Sequence, residues 1–556
     1  MTMHPQAISL IPRETERVAR AAFPKGRPIM HIRDELGMRL RDQDFAALFP
    51  AVGQLAMRPR RLMLVTVFPF LEGLGDRQAA DAVRRCMDGK DALAPELTDP
   101  GVPFSVVQAC RDRLVAHDQG RALRDHVLVT CRDCGRVTAR GQQRTDATHV
   151  LAAIRTLNRL EWLGETLAHT LHQLLWDAPG WARTTIPATW WERYGPRFDQ
   201  FRLPKTVAER AALAVAMGAD GRPLLTAIKA AATPEVVRTH PAVLRLRRVW
   251  IPHVHAEETP LRLRQDQELP PAARLIGAPY APDARLSTTR DTPWNGDKVQ
   301  LTATCDADTP QLRTAVQTTP TTTPDVRVPR RVHAALAARD LLPAEHVVES
   351  AYPDADGLVR SQAQGIDLVA AVQRASSWQA QADAGVAVAC CALDWEAAQA
   401  QCPQGQTSRV WSHRQDAGGH AVIHIPFDRD RCGACAARPA CTRAVTGPRT
   451  LNVRPQAQHQ ALQTARARQE TEAFKQRDKR RAGIEGTISQ GVHGVDLRYA
   501  RYRGLAKTAL QHVFVALARN LSRRLAWWAE RPQAQTRQSR CTAALKHAAE
   551  QPRCAA

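Results

Sequence analysis

The chain has 556 residues, enough for two to four domains and a packed core. Lys plus Arg number 77 against 55 Asp plus Glu, a formal charge of +22, which favours a polyanionic partner, nucleic acid first. The longest apolar run, LMLVTVFPFL from Leu62, is about half of the roughly 20 residues a membrane span needs, and it contains Pro69. The N-terminus has no apolar segment followed by a small-residue cleavage site, so a cytoplasmic protein without membrane partners is expected.

Residues 1–125 read as helical. RRLMLVTVFPFLEGLGDRQAADAVRRCMDG gives an apolar helix, a turn at Gly73–Gly75 and a second helix from Asp76. PFSVVQACRDRLVAH adds another, with Ser105 placed to cap it. Helix, turn and helix in a basic chain fit a DNA-binding region, and equally a bundle packed on a neighbour. Residues 126–150 turn from loop to a short strand carrying Asp146. From 150 to about 270 the chain is helical again. LAAIRTLNRLEWLGETLAHTLHQLLW is amphipathic at helical spacing, which places Trp162 and Trp176 in a core.

The pattern then shifts. DKVQLTATCD (297–306) and LRTAVQTTP (312–320) alternate as strands, RVHAALAARDLL (331–342) is a helix, and EHVVESAY (345–352) is a strand. ADGLVRSQAQG (355–365) is a helix and IDLVAAV (366–372) a strand. This order predicts an α/β core. Residues 373–450 are cysteine-rich and irregular, and one long charged helix is expected from Ala457 to Arg480. LAKTALQHVFVALARNLSRRLAWWAE closes the fold near 531, and the polar, basic segment 532–556 is expected to be disordered.

Three acids stand at distant, suggestive places: Asp146 on the first core strand, Glu349 at the end of a later strand and Glu485 in RAGIEGTISQ. Carboxylates gathered at strand ends suit Mg²⁺, a hard ion held by a few carboxylates and substrate oxygens. Two such ions about 4 Å apart serve in-line phosphoryl displacement. An isolated acid is far more often a solvated surface residue.

The chain has thirteen cysteines and no export signal, which argues against disulfides. Cys402 in CPQG and Cys432, Cys435 and Cys441 in CGACAARPAC supply four thiolates, enough for a closed, structural Zn²⁺ site, or four unmetallated thiols. SRVWSHRQDAGGHAVIHIPF between them reads as a hairpin. Cys131 and Cys134 lack a second pair and are expected to be unliganded, and His253 and His255 to lie in a solvated loop.

Longer strings carry a family resemblance. FPKGRPIMHIRDELG, LGDRQAADAVR, QRTDATHVLAAIRTLNRLEWLGETL, WWERYGPRF, RLPKTVAERAAL, ELPPAARLIGAPY, TTPDVRV and RAGIEGTISQGVHGVDLRYARYRGLAKTALQH resemble the DDE-class transposases of bacterial insertion sequences. The resemblance runs collinearly to about residue 530. It implies an RNase H-like mixed-sheet catalytic core (126–372) with a helical insertion at about 150–270, preceded by a helical DNA-binding domain (1–125). A zinc-ribbon-like insertion (373–450) and C-terminal helices (451–531) follow. It also implies that Asp146, Glu349 and Glu485 hold Mg²⁺ (or Mn²⁺). The implied reaction is nicking at the terminal inverted repeats, then joining of the freed 3′-hydroxyl to target DNA, by a homodimer in a synaptic complex at the nucleoid. Lys298, Arg481, Arg498, Arg501, Arg503 and Lys507 would meet DNA phosphates.

Three positions depart from that pattern. Related transposases carry Asp in D-x-G-Y where this chain has ESAY, with Glu349 one methylene longer. Asp478 stands for the Tyr of Tyr-x-x-Arg-x-x-x-Glu, and Asp297 for the Tyr of W-x-G-Y-K. A shift of about 1 Å in a catalytic group can cost about a hundredfold in rate. The alternative is therefore an impaired remnant that only binds DNA ends.

Overall fold

A computed structural model describes residues 10–36, 41–50, 52, 57–117, 120–154, 159–196, 203–255, 262–289, 291–307, 309–382 and 384–530. The segment 532–556, expected to be disordered, lies outside the described residues.

The sheet is built on β1 (Gln142–Leu151). The long β2 (Thr292–Thr304) runs antiparallel along one side of β1, with Asp146 opposite Leu301. The outer edge of β2 takes β3 (Arg313–Pro320) along its second half and the short strand Arg285–Thr289 along its first. On the other side of β1, β4 (Glu345–Val348) and then β5 (Asp367–Val369) pair in parallel. The order across the sheet is thus β3-β2-β1-β4-β5, mixed in direction. The first half of β2 holds Gly296, where a Cβ would collide with the Val150 carbonyl on β1. Only glycine lets the two backbones approach there.

Helices cover both faces. α1 (Pro59–Glu72) is apolar all round, as a helix buried on every side must be. It packs against α3 (Leu505–Trp528), and the Phe70 and Phe514 rings stack at 5.9 Å. Arg501, just before α3, lies 4.8 Å from the Phe70 ring and donates to the Leu74 carbonyl at 2.8 Å. One apolar cluster runs from Ile29 and α1 through Val150, Val299 and Leu301 to Phe514. The turn at Gly73–Gly75 therefore joins a core helix to the outer helix Asp76–Arg85.

A second cluster belongs to the helices between 159 and 255, built on Leu163, Leu167, Leu171 and Trp250. A third, around Ile423, Ile425 and Leu451, holds the cysteine-rich segment, where Ser412–Gln415 and Ala421–Pro426 form the expected hairpin.

Several local expectations are corrected. Ser105 sits inside its helix, which starts at Phe104 behind Pro103 without a side-chain cap. Trp162 packs on the second cluster, but Trp176 is exposed and donates to His172. His253 is buried against the Trp162 ring rather than solvated. The long charged helix is two, Gln456–Gln469 and Glu472–Lys479, because Thr471 caps the second by accepting from Phe474 N–H. One described helix, Val207–Lys229, is long and apolar enough by composition to cross a membrane, and a third of its apolar window is buried.

Candidate active site

Asp146 sits in mid-strand on β1, half-buried, its Oδ1 accepting from Ala147 N–H at 2.7 Å. The parallel register pairs Thr145 with Val348, so Glu349 follows one position on, beside Asp146. Glu349 is exposed just past the end of β4, where the chain turns and Tyr352 N–H donates back to the Glu349 carbonyl at 3.0 Å. Glu485 lies in the first turn of α2 (Gly483–Val495), which packs on β1 through Ile484 and Ile488. Gly483 permits this approach, since a Cβ there would strike the Arg144 guanidinium.

The charges of Glu349 and Glu485 both act on Asp146. Burial pushes the Asp146 carboxyl up to about 6; the charges of Glu349 and Glu485 add to that rise, while the Ala147 amide and Arg481 oppose it. Arg481 Nη1 stands 3.8 Å from Asp146 Oδ2, and its Nε is 3.9 Å from Asp478 Oδ1. Among the described residues no group of three or more His, Cys, Asp or Glu side chains stands at metal-coordinating spacing. The donor set fits a hard cation in kind: oxygen ligands only, with mutual repulsion that a cation relieves. The side chains have not closed to coordination distance.

The opposite face of β1 is polar and buried. Thr145 Oγ1 meets Thr302 Oγ1 and His346 Nε2, both at 2.7 Å, and His346 Nδ1 meets His333 Nε2 at 2.8 Å. Burial holds His346 well below its ordinary range and His333 at about 4, so both are neutral and fix the strand under Asp146.

Two tyrosine-related positions differ sharply. Tyr352 of ESAY is 1% exposed, with its hydroxyl buried and unpartnered among the described residues. Burial raises its pKa, and the charges of Asp325, Asp146 and Glu349 raise it further. Asp297 is also buried; burial and then Asp283 push it up to about 7, against Arg285.

The basic residues expected to meet DNA are mostly engaged within the chain. Lys298 pairs with Asp325 at 3.0 Å, and Arg498 Nε donates to Thr148 Oγ1 at 2.9 Å. Arg503 lies 5.5 Å from the Tyr280 ring centroid, and Lys507 pairs with Asp112 at 2.7 Å. Arg501 is turned inward on α1, as described above.

In the cysteine-rich segment, Cys402, Cys432, Cys435 and Cys441 all line one cavity of about 30 Å³. Burial raises the Cys441 thiol pKa; Arg449 opposes the rise, and the neighbouring Cys432, Cys402 and Cys435 add to it. The donor set suits Zn²⁺ in kind, though the thiols too lack coordination spacing. Cys131 is buried near Arg524 and Cys134 is exposed.

Residues 401–525 match the family model described as transposase DDE domain. That match supports a DDE-class transposase, on a segment that contains Cys402, Cys432, Cys435, Cys441 and Glu485 but neither Asp146 nor Glu349. No curated protein and no solved structure matches the chain.

Sequence reading did not single out Arg144, two residues before Asp146 on β1, or the buried Tyr352. Only Tyr352 carried a signal, as the closing letter of ESAY.

Proposed function

We propose that this protein is a cytoplasmic, nucleoid-acting transposase that cuts DNA at insertion-sequence ends and joins the 3′-hydroxyl to target DNA. The observation that carries the reading is the convergence on Asp146 of the charges of Glu349 and Glu485, from a neighbouring strand end and a late helix. The strand order, with β2 alone antiparallel to β1 beside a parallel β1-β4-β5 set, supports an RNase H-like core.

In this reading Asp146, Glu349 and Glu485 would hold Mg²⁺ or Mn²⁺. When bound, such ions supply Lewis-acid activation of water or a 3′-hydroxyl and charge stabilisation at the phosphorus. The chain's own residues do the rest. The buried His346–Thr145 contacts keep the strand rigid under Asp146, and Arg481 offers a cation to a phosphate oxygen. The helices of residues 1–125 serve as the DNA-binding domain, and a homodimer brings two ends together. Cys402, Cys432, Cys435 and Cys441 hold a structural Zn²⁺, supported by their common cavity.

The test is nicking of duplexes carrying the flanking inverted repeats, with Mg²⁺ and with Mn²⁺. Metal-dependent nicks at the repeat ends, absent in Asp146→Asn, are expected. Tight, metal-independent binding without nicks would instead identify a DNA-binding remnant.

A further inference from the structure

Near Asp146 lies a cleft of about 650 Å³, lined by Gln142, Arg144, Cys305, Gln311, Arg480 and Trp527 among others. Arg144 is 4% exposed, yet no carboxylate pairs with it among the described residues. Its Nη1 donates to the Arg480 carbonyl at 2.7 Å and its Nη2 to Gln311 Oε1 at 2.6 Å, which leaves Nε buried without a partner. Arg523 backs the same wall, bonded to the Gln311 carbonyl and to Thr487 and Gln490, again without an acid. Arg313 lies fully buried beneath, donating to the Thr487 carbonyl with two of its nitrogens unpartnered. Two acids touch the rim. Asp306 accepts from Gln142 N–H, and Glu345 is shared between Arg480 and Arg477.

Burying an unpaired cation is costly unless something anionic answers it. The surrounding amides and carbonyls satisfy hydrogen bonds but not charge. Position supplies the ligand class. Arg144 and Asp146 point to the same face of β1 two residues apart, about 7 Å along the strand. That is about two steps of a DNA strand, whose charges are spaced about 3.4 Å apart along the axis. The adjacent Arg480 and Arg481 straddle the two sites, one at each.

We propose that the Arg144–Arg480–Arg523 cleft binds a backbone phosphodiester about two steps along the DNA strand from the phosphate that lies at Asp146. It is a positioning site: it sets which bond meets Asp146. The proposal rests on the DNA-acting reading above.

Cys305 on the cleft wall is a native reporter. The full chain is alkylated at mildly alkaline pH, with Cys305 followed by peptide mass, alone, with inorganic pyrophosphate and with a short duplex. The same duplex is titrated against salt for the parent and for Arg480→Gln, a rim residue whose loss leaves the core intact. Slower Cys305 alkylation with both probes is expected, with a salt slope reduced by about one in Arg480→Gln. Protection by both probes in a protein that never nicks DNA keeps the phosphate site and overturns only the enzymatic reading. Duplex binding with Cys305 alkylation unchanged, or protection by pyrophosphate alone, overturns this proposal and leaves that reading standing.

Discussion

Arg481 is held between Asp146 and Asp478, at 3.8 Å and 3.9 Å. Asp478 stands where the transposase pattern described above has Tyr, so an acid that the pattern lacks draws on the cation beside β1. This guanidinium is a positive charge beside Asp146, a residue that would hold the metal ion. Arg481→Ala is therefore expected to tighten Mn²⁺ binding up to about fivefold, the most that a partly exposed pair of up to about 1 kcal/mol allows. Electron paramagnetic resonance titration reads it, and DNA affinity should fall in the same variant.

Asp297 gives a pH-dependent prediction. Its folded pKa of about 7 lies above the ordinary carboxyl value of 3.8, because burial and Asp283 disfavour its charge. The folded state thus binds a proton that the unfolded state has released, and stability is lost as pH rises from about 4 through 7. Asp297→Asn should raise the melting temperature above pH 7 and change it little near pH 4. Equal shifts at both pH values would contradict the assignment.

Gly296→Ala places a methyl against the Val150 carbonyl across the β1–β2 pair. A loss of about 3 kcal/mol or more is expected, since strand separation here disturbs the register that carries Asp146. Chemical denaturation checks it, with Gly433→Ala as a control because a Cβ there meets nothing within 4 Å.

The cysteine-rich module should carry one Zn²⁺ per chain by elemental analysis. Cys435→Ser is expected to lose it, and chelation should expose the small core around Ile425 to protease. Metal-free protein with an equally protected module would sink the zinc proposal.

The sheet was largely legible because its strands alternate or run apolar between turn residues. β1, β3 and β4 fall close to their expected positions, and Glu349 falls just past β4, after the last hydrogen-bonded pair. The extra strand Arg285–Thr289 was not legible: it is exposed on alternate positions and exists only by pairing with the first half of β2. The break at Thr471 was masked by uniformly charged flanks. The arginine cleft was hidden for a different reason. Arg144 reads as one more basic residue in a chain of +22, and its contact with the Arg480 carbonyl spans 336 residues. Fates such as Arg501 turned onto Phe70 depend on packing that charge counting does not see.

The most direct measurement compares the unaltered chain with Glu349→Ala and Glu349→Asp in Mn²⁺-supported nicking of inverted-repeat duplexes. Nicks at the repeat ends by the unaltered chain, their loss in Glu349→Ala, and equal or faster nicking in Glu349→Asp are expected. Nicking that survives Glu349→Ala would contradict this, as would an unaltered chain that binds the ends yet cuts only after Glu349→Asp.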